Sequence, residues 1–136
     1  MRTDHEALLV LHRPGPEFLV LLRSPAGQGY WHLVSGGVES GEEPHEAALR
    51  ELEEETGLAR PPGFEPLPLE LGYRPPSGAW ITVHPFAVAV PPGWEPVLNE
   101  EHVDYCWCTE DAAVELLEYP EPREALRYVA RGLEET

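Results

Sequence analysis

Gly36-Gly37-Val38-Glu39-Ser40-Gly41-Glu42-Glu43-Pro44-His45-Glu46-Ala47-Ala48-Leu49-Arg50-Glu51-Leu52-Glu53-Glu54-Glu55-Thr56-Gly57-Leu58 is the stretch whose reading decides the fold. Pro44 suits the first turn of a helix, Glu46 to Thr56 contains good or tolerable helix formers, and Gly57 is placed to end it. A helix over Pro44 to Thr56 sets Glu51, Glu54 and Glu55 at i, i+3 and i+4, within one arc of roughly 100°. Ala48, Leu49 and Leu52 occupy the adjoining side, so the helix can dock on a core while presenting acids along its edge. Each pair of such acids, about 6 Å apart at an effective dielectric near 20, repels by about 3 kcal/mol before screening. A helix selected for stability alone would mix in lysines. Hard cations such as Mg²⁺ take oxygen ligands and bridge carboxylates to phosphates, and a metal site explains this pattern better than a solvated acidic face.

Outward from this segment, Glu6 to His12 and Phe18 to Leu22 read as strands joined by a turn at Arg13-Pro14-Gly15-Pro16. Tyr30 to Val34 is a third short apolar stretch, followed by Ser35-Gly36-Gly37, which reads as a flexible loop. Beyond the helix, Arg60-Pro61-Pro62-Gly63 reads as a turn. Strands are expected around Leu67 to Tyr73, Trp80 to Val90 and Val103 to Cys108. Ala112 to Tyr119 and Arg123 to Leu133 read as helices split by Pro120 and Pro122. Strands on both sides of a central helix, with helices at the end, imply a mixed α/β layer fold, most simply one domain over residues 1–136.

The formal net charge of -16 argues against broad attraction to a nucleic-acid backbone. An acidic chain can still hold a phosphorylated small molecule through intervening divalent cations. No apolar run approaches the roughly 20 residues of a membrane helix, and the first residues lack a secretory pattern, so no membrane association and a cytoplasmic location are expected. All nine basic side chains are arginine and proline numbers 16, a bias that heat adaptation or GC-rich codon usage would equally produce. Cys106 and Cys108 stand two apart on a strand, which rarely gives disulfide geometry, and they read as reduced structural cysteines.

The segment resembles the Nudix box, G-x5-E-x7-R-E-U-x-E-E-x-G-U with U a bulky aliphatic residue. Gly36, Glu42, Arg50, Glu51, Leu52, Glu54, Glu55, Gly57 and Leu58 match every specified position. Weaker resemblance extends further: a strand ending in Arg23, Trp31 before the glycine loop, and Glu101-His102 before Tyr105-x-Trp107. The resemblance implies a Nudix-type α/β/α sandwich with a mixed sheet and the box helix at the catalytic cleft. It implies Mg²⁺, with Mn²⁺ as a substitute, held by Glu51, Glu54 and Glu55, with a backbone carbonyl from the Ser35 and Gly36 loop. Arg50 would hold the glutamates in place, and Glu101 would enter from a distant loop as a ligand or general base. Glu51 is the first choice for the base, with Glu54 and Glu101 kept open. Arg23, Tyr30 and Trp31 are candidates for substrate contacts, although Arg23 could simply pair with an acid and both aromatics suit a core.

Many Nudix enzymes carry Pro-Gly-Gly ahead of the box, where this chain has Val34-Ser35-Gly36-Gly37-Val38-Glu39. A Val-Ser-Gly variant after a Trp, with the late Glu-His, looks like the dihydroneopterin triphosphate and dATP pyrophosphohydrolase branch. The activity implied is cleavage of a pyrophosphate linkage in a nucleoside- or pterin-triphosphate-like small molecule, giving a monophosphate and pyrophosphate. Hydrolysis of dinucleoside polyphosphates, ADP-ribose or nucleotide sugars is the alternative. A non-catalytic nucleotide-binding module would be expected to lose box acids, which this chain keeps. Assembly as a homodimer is allowed.

Overall fold

The computed structural model describes residues 2–135. Its centre is the strand β1 (Arg2–Arg13), whose Ala7 to Leu11 are all buried because both faces of the sheet are covered. A hairpin leads to β2 (Glu17–Arg23), followed by a 3-10 turn at Pro25–Gly27 and then β3 (Trp31–His32) and β4 (Val34–Glu39). The helix α1 (Pro44–Thr56) follows, then β5 (Gly63–Pro66), β6 (Leu71–Tyr73), β7 (Ile81–Ala89) and β8 (His102–Cys108). Two helices, α2 (Glu110–Leu116) and α3 (Pro120–Glu134), close the chain.

The strands form one mixed eight-stranded sheet. β1 runs parallel to β7 and antiparallel to β2 and β4, while β8 pairs antiparallel with β2. One face packs on α1 through Ala7, Leu9, Leu11, Leu21, Ala48 and Leu52. The other carries Leu8, Val10, Phe18 and Val20 against Ala113, Leu126 and Val129 of α2 and α3. This is the α/β/α sandwich expected. Among the described residues no helix is long and apolar enough to cross a membrane.

The helix α1 has the boundaries read from the sequence, and its ends show why. Glu43 and Glu46 form a reciprocal capping box with Pro44 in the first turn, and Gly57 stops the helix at φ 82°. Four expectations need correction. Ser35-Gly36-Gly37 is not a flexible loop but part of β4, with Leu8↔Ser35, Ala7↔Gly36 and Glu6↔Gly37 in register, since a backbone ladder needs no side chain. Gly63 belongs to β5, not to a turn, and its lack of a Cβ lets that strand lie against Ala89 of β7. The strand expected over Leu67 to Tyr73 shrinks to β6: Pro66 still pairs with Phe86 in β5 and the Leu67 amide donates to the Pro85 carbonyl at 2.9 Å, but Pro68 has no amide to carry the ladder on. The last two helices begin earlier than read: Thr109 caps α2 by accepting from the Ala112 amide at 3.3 Å, and Pro120 and Pro122 sit in the first turn of α3. Prolines are tolerated there because those amides have no helical partner to lose.

Candidate metal centre and substrate cleft

The site grows from α1, β4 and the turn before β8. Arg50 is the clamp. Its Nε and Nη2 donate to the two carboxylate oxygens of Glu42 at 2.9 and 3.0 Å, and Nη2 also donates to the Gly37 carbonyl at 3.0 Å. Its Nη1 donates to Glu51 Oε1 at 2.7 Å and lies 3.5 Å from Glu54 Oε2. One guanidinium thus ties the loop ahead of α1, the strand β4 and two acids of the helix into a single unit, with the fork geometry that suits Arg. The same contacts hold the Glu42 carboxyl down at about 2.

The three helix acids share an arc but meet different surroundings. Glu51 faces a cleft of about 750 Å³ with its side chain 12% exposed. Glu54 stands outside with its side chain 53% exposed. Glu55 is 1% exposed, and neither carboxylate oxygen has a hydrogen-bond partner. Burial first, then Glu51 and Glu101, push its pKa up to about 10. Gly36 lies directly over this acid row, and a Cβ there would overlap the Glu51 carboxyl. That is why glycine occupies the strand position facing the helix.

Glu101 reaches the same place from far along the chain. Antiparallel pairing of β8 with β2, in which Arg23 stands opposite His102, delivers the preceding turn to the cleft. The Ser24 amide donates to the Glu101 carbonyl at 2.8 Å, fixing that turn. Ligand atoms of Glu55, Glu101 and His102 all lie within 4.8 Å of one another. His102 is buried, its Nε2 is 3.7 Å from Glu55 Oε1, and neither ring nitrogen has a hydrogen-bond partner. Burial, with Arg23 and His32 adding, lowers its pKa to about 4, so the ring is neutral near pH 7. A buried acid with both oxygens unpaired, beside a second acid and a neutral imidazole, fits a divalent, oxygen-seeking cation. Glu51, Glu55 and Glu101 would hold it.

The rest of the cleft is aromatic and basic. Tyr30, His32 and Tyr119 line it and meet edge to face, with ring centroids 5.5 to 6.5 Å apart. The Arg23 guanidinium lies 5.6 Å from the Tyr30 ring centroid, and its buried Nε has no hydrogen-bond partner. Ser35 and Gly36 line the cleft as well. Of the proposed contact residues, Arg23 and Tyr30 thus face the cleft. Trp31 points to the other side of its strand and packs against the core under α2 and α3. His102 and Tyr119 had not been assigned roles from the sequence. His102 had a signal, its place beside Glu101, but Tyr119 is brought in only by the packing of the turn between α2 and α3.

The NUDIX domain profile matches residues 2–129, and the chain belongs to the Nudix family. Dihydroneopterin triphosphate diphosphatase of Haemophilus influenzae is 27% identical over 138 residues, covering 93% of this chain and 87% of that protein. The octanoyltransferase of Myxococcus xanthus is 36% identical over 132 residues, covering 89% of this chain. This chain spans only 35% of that relative's length. Among solved structures, a binary complex of the Caenorhabditis elegans Ap4A hydrolase superposes with a TM-score of 0.83 at 27% identity, covering 97% of this chain and 98% of the other.

Proposed function

We propose that the chain, acting as one Nudix unit over its 136 residues, is a Mg²⁺-dependent hydrolase. It cleaves a pyrophosphate linkage in a nucleoside- or pterin-triphosphate-like substrate and releases a monophosphate and pyrophosphate. The observation that carries this reading is the meeting of Glu55, Glu101 and His102 beside a cleft lined by Glu51, Arg23, Tyr30 and Tyr119. Acids and bound cations suit the diphosphate, and a ring-lined wall suits a planar heterocycle.

Mg²⁺, or Mn²⁺ in its place, supplies charge neutralisation on the phosphate oxygens and a lowered pKa for attacking water. The protein does the rest. Glu51, held by Arg50 at 2.7 Å, is the acceptor for the water proton, with Glu54 and Glu101 as alternatives. Glu55 and Glu101 would hold the cation, together with the Ser35 and Gly36 backbone. Arg50 keeps Glu51 in the space that Gly36 leaves open. Arg23 contacts phosphate, and Tyr30 orients the ring.

The resemblance of the sequence to the dihydroneopterin triphosphate branch, and the Haemophilus relative, favour a triphosphate. The similarity to the nematode Ap4A hydrolase favours a second reading, a dinucleoside polyphosphate. A panel of dihydroneopterin triphosphate, dATP, Ap4A and ADP-ribose, followed by ³¹P NMR, tests both. Pyrophosphate released from a triphosphate supports the first reading. Turnover of Ap4A with triphosphates untouched selects the second. No turnover of any panel member, with Mg²⁺ or Mn²⁺ present, contradicts both and points to a binding module.

A further inference from the structure

Outside the cleft, two imidazoles meet. His5 of β1 and His84 of β7 lie on neighbouring parallel strands, with His5↔Thr82 and Ala7↔His84 in register. Side chains alternate along a strand, so Glu6, Leu8 and Val83 face the cleft while His5 and His84 face the α1 side. There they border a separate hollow of about 220 Å³ with Val38, Glu42 and Pro44. The register of β1 against β4 shifts between Arg2 and Glu6, and this irregularity opens the hollow beside His5.

His5 Nδ1 and His84 Nε2 are 2.9 Å apart, with the rings stacked at 5.1 Å and 25° between planes. Two neutral imidazoles in this arrangement share one proton, one nitrogen donating and the other accepting. A change of tautomer frees the donating nitrogen, and with a turn of the rings both nitrogens can then offer a lone pair to one cation. We propose that His5 and His84 form a second metal site, distinct from the carboxylate centre, which takes a borderline d-block dication such as Zn²⁺, with water completing its shell. Nitrogens about 2.0–2.1 Å from a tetrahedral zinc stand about 3.3 Å apart, so the pair needs to open by only about 0.4 Å from its hydrogen-bonded spacing. Imidazole nitrogens favour Zn²⁺, Ni²⁺ or Cu²⁺ over Mg²⁺, whereas the cleft acids have the opposite preference. The chain therefore sorts two classes of cation to two separate sites. With only two protein ligands the affinity expected is modest, in the micromolar range.

The test is calorimetric titration of the full chain with Zn²⁺ in saturating Mg²⁺. One ion per chain is expected to bind the wild type and Glu55→Gln alike, while His5→Ala and His84→Ala each weaken binding by at least about tenfold. The Glu55→Gln arm separates this site from the reading of the carboxylate centre, because failure of one leaves the other standing. Absence of Zn²⁺ binding, or binding that survives both histidine variants, overturns the proposal. Should either variant fail to fold, substoichiometric Cu²⁺ added to the wild type decides by NMR. Selective broadening of the His5 and His84 imidazole resonances supports the site, and broadening confined to other histidines overturns it.

Discussion

At Glu55 the chain places an acid where burial, Glu51 and Glu101 all disfavour its charge. Such a group is stabilising only when something shares its charge, and a bound dication does so. In the metal-free protein its folded pKa lies above the unfolded value, so its contribution to stability is present below the usual carboxylate pKa of about 4.3 and is lost as pH rises towards about 10. The melting temperature of the metal-free wild type should accordingly fall relative to Glu55→Gln as pH rises from about 5 to 9. Saturating Mg²⁺ should remove that gap or reverse its sign. Parallel pH profiles for the two proteins without metal would contradict the assignment. In turnover, Glu55→Gln and Glu51→Gln should each lower kcat by at least about a hundredfold with the fold intact, as measured by circular dichroism alongside the assay. The adjacent acids Glu100 and Glu101 give an internal control. Glu101→Gln should lose at least about tenfold in kcat and shift its metal dependence, while Glu100→Gln stays near wild type. Equal, small losses would make Glu101 a surface residue.

Among the elements, α1 carries most of the chemistry, and its position depends on both its ends and its clamp. Gly57 holds φ 82° at the C-terminal end, a conformation that costs a residue with a Cβ about 1–2 kcal/mol. Gly57→Ala should lower stability by about that much while leaving KM nearly unchanged, as read from urea unfolding and steady-state kinetics. A change within error in unfolding free energy would mean that the helix end is set by packing instead. This helix was legible from the sequence because its signals are local: Pro44, the spacing of the acids and Gly57. The strands β5 and β6 were misplaced because nothing local distinguishes them. Gly63–Pro66 becomes a strand only because β7 offers it an edge, and the pairing breaks after Leu67, whose amide still donates to the Pro85 carbonyl, because Pro68 has no amide to give. Ser35 to Gly37 looked like a loop because glycines in sequence signal flexibility, whereas here Gly36 clears space for the Glu51 carboxyl and Gly37 for the Arg2 side chain.

For the molecule as a whole, a net charge of -16 sets the problem that a phosphate-processing protein must solve. The solution visible in the fold is spatial. Acids converge at one end of the cleft, where cations can intervene, and Arg23 stands on the wall beside Tyr30. Glu51, Glu54 and Glu55 were legible because they follow one another at helical spacing, and the role of Arg50 came from the resemblance. Glu101 could be named only by resemblance, since its arrival depends on the β2–β8 pairing, and no local rule makes residues 23 and 102 partners. Tyr119 was out of reach, and of the two readings open for Trp31, substrate contact or core, the fold shows the core packing.

The central claim, that these acids work through a bound dication on a diphosphate, is tested most directly by ³¹P NMR of one nucleoside triphosphate incubated with the metal-stripped protein before and after Mg²⁺ is added. The account predicts no turnover before addition and, after it, monophosphate and pyrophosphate appearing in equal amounts. Equal rates with and without the metal, or orthophosphate as the first product, would contradict it.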